Sequence, residues 1–198
     1  MAEVVHKIIP LALPLPWQED LWQGFIERID QGRLAHGLML TGTAGIGIER
    51  LGMGLAQRLL CTAELSKYAC GSCKGCQLMV AGNHPDFTVL EPAEEGKAIL
   101  IPAVRALMDK LSKTAQQGGW KVVLISPAEN MNNNAANALL KSLEEPQAKT
   151  LWILLSYRPS LVSATIRSRC QVQNLPLPDT ATATRWLAEV SGDQERAQ

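Results

Sequence analysis

Two stretches, Trp120–Ile125 and Leu151–Leu155, are apolar at nearly every position, and they constrain the fold more than anything else in the chain. A strand with one wet face alternates polar and apolar residues, whereas an unbroken apolar run of this length is a strand covered on both faces, as in a parallel sheet. Segments of helical periodicity surround them. Trp17–Gln31 places Trp17, Leu21, Trp22, Phe25, Ile26 and Ile29 at helical spacing and is closed by Gly32, so a helix packed on the first strand is expected. Ile101–Thr114 puts Val104, Leu107, Met108 and Leu111 on one face with Pro102 in the first turn, another helix. Asn134–Glu145 reads as a helix stopped by Pro146, with Asn132, Asn133 and Asn134 available to cap it. Shorter apolar runs at Leu38–Leu40, Phe87–Leu90 and Val172–Leu175 complete the strands. Strands alternating with helices predict an α/β fold built on a parallel sheet.

The chain has 198 residues, 46% of them hydrophobic, enough for one sizeable core. Nineteen basic residues balance nineteen acidic ones, so no net positive field draws the protein to nucleic acid or anionic membrane. Any DNA contact is expected to be local or shared with partner subunits. The apolar stretch Ile8–Pro16 is short, broken by Pro10, Pro14 and Pro16, and lacks a basic leader, so no signal peptide is expected. No run is long enough for a membrane span, and a cytoplasmic location is expected. Pro176 and Pro178 mark a linker, after which Asp179 is placed to cap a helix carrying Trp186, Leu187 and Val190. The predicted organisation is a core over 1–175, containing an insert at 61–76, and the start of a second, helical domain over 176–198.

Between the first strand and its helix lies Gly42-Thr43-Ala44-Gly45-Ile46-Gly47, followed by Ile48 and Glu49. A working phosphate loop uses glycines to wrap backbone N–H groups around phosphates, then lysine for the β/γ-phosphates and a hydroxyl for magnesium. Gly42, Gly45 and Gly47 keep the scaffold, but Ile48 stands at the lysine position and Glu49 at the hydroxyl position. A carboxylate facing a like charge at 4 Å costs roughly 4 kcal/mol at an effective dielectric near 20. A second lesion runs in parallel. The strand ending at Ile125 leads into Ser126-Pro127-Ala128-Glu129, where a nucleotidase needs acidic groups to hold magnesium and polarise water. Neither ATP nor magnesium is expected as a cofactor.

Four of the five cysteines, Cys61, Cys70, Cys73 and Cys76, crowd one short window with Gly71 and Gly75 between them. Four thiolates at this spacing suit tetrahedral zinc in a closed, structural site. An iron–sulfur cluster also uses clustered cysteines, but nothing else in the sequence points to electron transfer. Cys170 stands apart and reads as a core thiol.

Taken together, the chain resembles the clamp-loader branch of the AAA+ proteins. The resemblance is carried by Gly32-Arg33-Leu34-Ala35-His36-Gly37, the lysine-less loop, the four-cysteine insert, Asn83-His84-Pro85-Asp86, the segment Asn137–Pro146, and Thr165-Ile166-Arg167-Ser168-Arg169-Cys170. It covers nearly the whole chain. The resemblance implies an AAA+ core with a zinc insert and the beginning of a helical lid, within a subunit that normally continues through the lid into a collar domain. It also implies that Arg169 is an arginine finger delivered in trans to ATP on a neighbouring subunit, a task suited to a planar, permanently charged fork. Arg169 as a salt-bridged strand-edge residue is the plainer alternative.

The implied partners are the ATP-hydrolysing gamma/tau motor subunits, the clamp-opening delta subunit, and, through the assembled complex, the sliding clamp and primer-template DNA. The implied role is that of a non-hydrolysing member of a DNA polymerase holoenzyme, with no intrinsic ATPase. Ser156 occupies the phosphate-sensing position of such folds, while Arg158 and Arg167 suit either surface pairing or an interface. His36 and His84 read as turn or core-edge hydrogen bonders. A hydrolysing motor subunit of the same branch and a non-replicative zinc scaffold of the same fold are the two rival readings.

Overall fold

The computed structural model describes residues 10–63, 66–112, 115 and 119–191. Ile8, Ile9, Thr114 and residues 192–198, on which parts of the sequence expectations fall, lie outside the described residues. Five parallel strands form one sheet in the order β2-β3-β4-β1-β5: β1 Gly37–Thr41, β2 Phe87–Leu90, β3 Lys121–Ile125, β4 Thr150–Ser156 and β5 Gln171–Asn174. The helices are α1 Glu19–Asp30, α2 Ile48–Leu60, α3 Lys74–Val80, α4 Ile101–Leu111, α5 Asn133–Glu144, α6 Ala164–Arg167 and α7 Thr180–Ser191. A 3-10 turn at Pro16–Gln18 precedes α1.

The expectation of two covered faces holds. Alternate residues of the central strands enter two separate cores. Leu38, Leu40, Val122, Leu124, Leu151 and Ile153 pack with Trp22, Phe25, Leu51 and Leu55 of α1 and α2. Met39, Val123, Ile125, Trp152 and Leu154 pack with Val104, Leu107, Leu139 and Leu143 of α4 and α5. Every residue of β4 is buried, because it lies between β3 and β1 with helices on each side. Gly52 sets the distance of α2 from the sheet: a Cβ there would stand 3.0 Å from Leu155 Cδ2 and 3.4 Å from Ile153 Cγ2.

The ends of the helices follow the expected chemistry. Asn132 caps α5 by accepting a hydrogen bond from Ala135 N at 2.8 Å, and Gly32, at φ +64°, turns the chain after α1. Asp179 Oδ1 accepts from Thr182 N at 2.8 Å at the start of α7. Two details differ from the sequence reading. Helix α3 follows the cysteines directly, its seven residues being too few for a periodic signal. The run Val172–Leu175 is shifted, with β5 ending at Asn174, because this edge strand leaves Val172 exposed while Leu175, just beyond it, is buried.

Position in the sheet sets the cost of truncation. Ile153→Ala, at a fully buried site between two strands, is expected to lower unfolding free energy by about 2–5 kcal/mol. Val89→Ala, 38% exposed on edge strand β2, is expected to cost less than about 1 kcal/mol. Urea denaturation of the two variants beside the parent chain checks the contrast.

Candidate functional site

The glycine loop leaves the C-terminal end of β1 and runs into α2, with Gly45 at φ +86° and Gly47 at φ +90°. Ile48 is fully buried. A Cβ on Gly42 would stand 3.1 Å from Ile48 Cγ2 and 3.0 Å from Ile46 Cγ2, so the loop closes over its own hydrocarbon. The outside of the loop is fixed as well. Gln18, fully buried, donates from Nε2 to Ile46 O at 3.1 Å and Gly47 O at 2.9 Å, while its Oε1 accepts from Leu15 N at 2.9 Å. Trp17 Nε1 donates to Ile46 O at 3.0 Å. Glu49 is exposed in the first turn of α2. Its charge there is screened by water and favoured by the helix dipole.

A cleft of about 300 Å³ opens beside the loop, bounded by Thr43, Gly45, Ile46, Leu177, Trp186 and Leu187. Trp17 and Trp186 meet edge to face across it, ring centroids 5.4 Å apart. At the neighbouring strand ends, Ser126 N donates to Leu90 O at 3.1 Å. Glu129 Oε1 accepts from Tyr157 N and Arg158 N, each at 3.1 Å. The nearest carboxylate after β3 therefore holds the backbone that follows β4. Ser156 is fully buried, with no hydrogen-bond partner for its Oγ among the described residues.

The four cysteines of the 61–76 segment come together with all sulfurs within 4.8 Å of one another. The Cys70–Cys76 and Cys61–Cys73 sulfur pairs are 3.9 and 3.8 Å apart, too far for disulfides. Thiolates around tetrahedral zinc at about 2.3 Å stand roughly 3.8 Å from each other, so the donor set fits such an ion. Backbone N–H groups point at the sulfurs: Cys70 N and Ala63 N toward Cys61 Sγ at 3.4 Å, Cys73 N toward Cys70 Sγ at 3.3 Å, and Cys76 N toward Cys73 Sγ at 3.4 Å. The Cys73 and Ser72 backbone N–H groups lower the Cys70 thiol below its ordinary value. Burial opposes ionisation of Cys73, yet hydrogen bonds from Thr62 and the Cys76 backbone together bring it down to about 5. Burial pushes Cys76 upward, reinforced by its hydrogen bond with Cys73. Gly75 is required by packing, since a Cβ there would stand 2.2 Å from Leu60 O. Close by, buried His84 accepts from Asp86 N at its Nδ1, 3.2 Å away, and burial lowers its pKa, so it remains a neutral hydrogen bonder at the turn before β2.

Arg169 lies between α6 and β5, at the opposite end of β1 from the glycine loop. Gly37 and Gly42 are five residues apart, roughly 16 Å of strand. The Arg169 guanidinium pairs with Glu144 at the end of α5, Nη2 to Oε1 2.5 Å, and donates from Nη1 to Thr165 O at 2.9 Å. Next to it, Cys170 is half-buried and its thiol is pushed up to about 11 by burial, in keeping with the expected core role. His36 Nε2 is 2.8 Å from Leu143 O.

A family model described as DNA polymerase III, delta subunit, matches residues 17–179. The chain belongs to this family. Among curated relatives, the DNA polymerase III subunit delta′ of Pseudomonas aeruginosa is 49% identical over 179 residues, covering 90% of this chain and 54% of the relative. The subunit delta′ of Escherichia coli is 40% identical over 182 residues, covering 91% and 54%. The chain thus spans about half the length of the curated relatives it matches. Solved structures agree on the AAA+ fold. A DNA polymerase III gamma subunit-related protein of Thermotoga maritima superposes with TM-score 0.54 at 22% identity, covering 87% of this chain and 49% of that one. The RuvB Holliday junction branch migration motor of Thermotoga maritima also gives 0.54, at 15% identity, covering 91% and 53%.

In this delta-family chain the sequence-predicted residues form three separate places: the loop, the cysteine cluster and the Arg169 corner. The roles of Gln18 and Glu129 leave no signal in the sequence, because a lone amide or carboxylate carries no pattern until its distant partners are known. Among the described residues no helix is long and apolar enough to cross a membrane.

The cysteine geometry generates a direct expectation. The purified chain is expected to hold one equivalent of zinc, released by mercuriphenyl sulfonate and counted with a chromogenic chelator. Cys76→Ser should lower the stoichiometry severalfold and expose the remaining thiols. Chelation should cost stability, since structural zinc contributes on the order of 10 kcal/mol to modules of this kind.

Proposed function

We propose that this chain is the N-terminal part of a delta′-type clamp-loader subunit that does not hydrolyse ATP and supplies Arg169 to ATP bound on an adjacent motor subunit. In this reading residues 1–175 are the AAA+ core, 61–76 its zinc-binding insert and 176–198 the beginning of the lid, and the protein works in the cytoplasm. Its partners are the gamma/tau motor subunits and the delta subunit, with the sliding clamp and primer-template DNA engaged through the assembled complex.

The observation that carries the reading is the burial of Ile48 beneath the glycine loop. A lysine at that position must keep an ammonium in reach of phosphate; an aliphatic side chain sealed in the core offers no counter-charge. The Ser126-Pro127 pair at the end of β3 gives no carboxylate for magnesium, and Glu129 is committed to the backbone of Tyr157 and Arg158. Arg169 stands a full strand length from its own loop, which favours service to another chain. The zinc insert shapes the fold without chemistry, since four thiolates leave no open coordination position. The hydrolysing-motor alternative is disfavoured by Ile48.

The test is hydrolysis in the complex reconstituted with the full-length subunit. Arg169→Ala is expected to slow clamp- and DNA-stimulated turnover at the site served by this subunit by about 10³-fold or more, the usual effect of removing a trans finger, while the complex still assembles. Unchanged turnover with intact assembly refutes the assignment.

A further inference from the structure

Three segments that are distant in sequence meet at the N-terminal end of β1. His36 Nε2 lies 2.8 Å from Leu143 O. A Cβ on Gly37 would stand 3.2 Å from Arg169 O, 3.3 Å from Cys170 Sγ and 3.4 Å from Leu143 Cδ2. The backbone of Arg169 is therefore pressed onto a bare glycine and the last turn of α5, and Cys170 anchors it from the next position. On this base Nη1 of Arg169 donates to Thr165 O at 2.9 Å, with a longer contact to Ser168 Oγ at 3.4 Å, and Nη2 pairs with Glu144 Oε1 at 2.5 Å.

We propose that Glu144 is a positioning residue for Arg169: its carboxylate holds one side of the guanidinium so that the remaining edge is presented, already ordered, to phosphate on the neighbouring subunit. The proposal rests on the reading of Arg169 as a trans finger. Guanidinium has five N–H donors in a rigid fork. Among the described residues Nε–H has no partner, so a phosphate oxygen can be met without breaking the tether. The pair is not there for stability. The two side chains are 33% and 47% exposed, and ion pairs so open to water contribute little to folding. What the tether changes is conformational freedom. An arginine fixed beforehand loses less rotamer entropy when phosphate arrives, and a misplaced catalytic group costs rate steeply.

A double-mutant cycle in the reconstituted full-length complex tests this. Glu144→Ala is expected to lower kcat of clamp- and DNA-stimulated ATP hydrolysis by about 10- to 100-fold at the site served by Arg169, with KM for ATP unchanged. Glu144→Gln, which keeps the acceptor, should recover most of the loss, and Glu144→Leu, which fills similar volume without an acceptor, serves in place of the alanine variant, with the same expected loss, if that one does not fold. In an Arg169→Ala background, Glu144→Ala should change nothing further. Wild-type or faster turnover in Glu144→Ala overturns the proposal, the latter showing that Glu144 restrains Arg169 instead. An equal loss with and without Arg169 overturns it too, since Glu144 then acts elsewhere. If Arg169→Ala alone has no effect, it is the finger assignment that fails.

Discussion

The packing of Ile48 against Gly42 is the contact on which the rest of the structure turns. It joins the end of β1 to the first residue of α2 and keeps the Ile48 side chain out of solvent. Gln18 and Trp17 complete the closure by donating to the loop carbonyls. The backbone turns through left-handed glycines at 45 and 47. Side chains from the turn before α1 thus help to hold this conformation.

At the far end of β1 a second close approach does different work. Gly37 lets the Arg169–Cys170 backbone and the end of α5 come together, and an arginine with a partly exposed head results. The two ends of one strand differ: beside one lies a buried isoleucine, beside the other a partly exposed arginine. The cysteine cluster is a third, independent unit, joined to the core where Gly75 meets the Leu60 carbonyl and held ready for a metal by backbone N–H groups directed at sulfur.

The layered architecture is readable in Trp120–Ile125 and Leu151–Leu155, because a strand buried on both faces writes itself as an uninterrupted apolar run. The caps at Asn132 and Asp179 are readable for a similar reason, being local hydrogen bonds between near neighbours. The cysteine spacing implies the cluster. Less is readable where partners are distant or helices short. Gln18 acts on a loop nearly thirty residues away, α3 is too short to show a period, and β5 is an edge strand whose pattern mixes with the linker. The exposure of Glu49 is another such case, since spacing places a residue on a helix without fixing which side the core takes.

Calorimetric titration of magnesium-ATP into the purified chain tests the central claim most directly, because it asks whether the closed loop has room for a triphosphate. The account predicts no saturable heat at millimolar nucleotide, with or without magnesium. Saturable, magnesium-dependent binding in the micromolar range would contradict it.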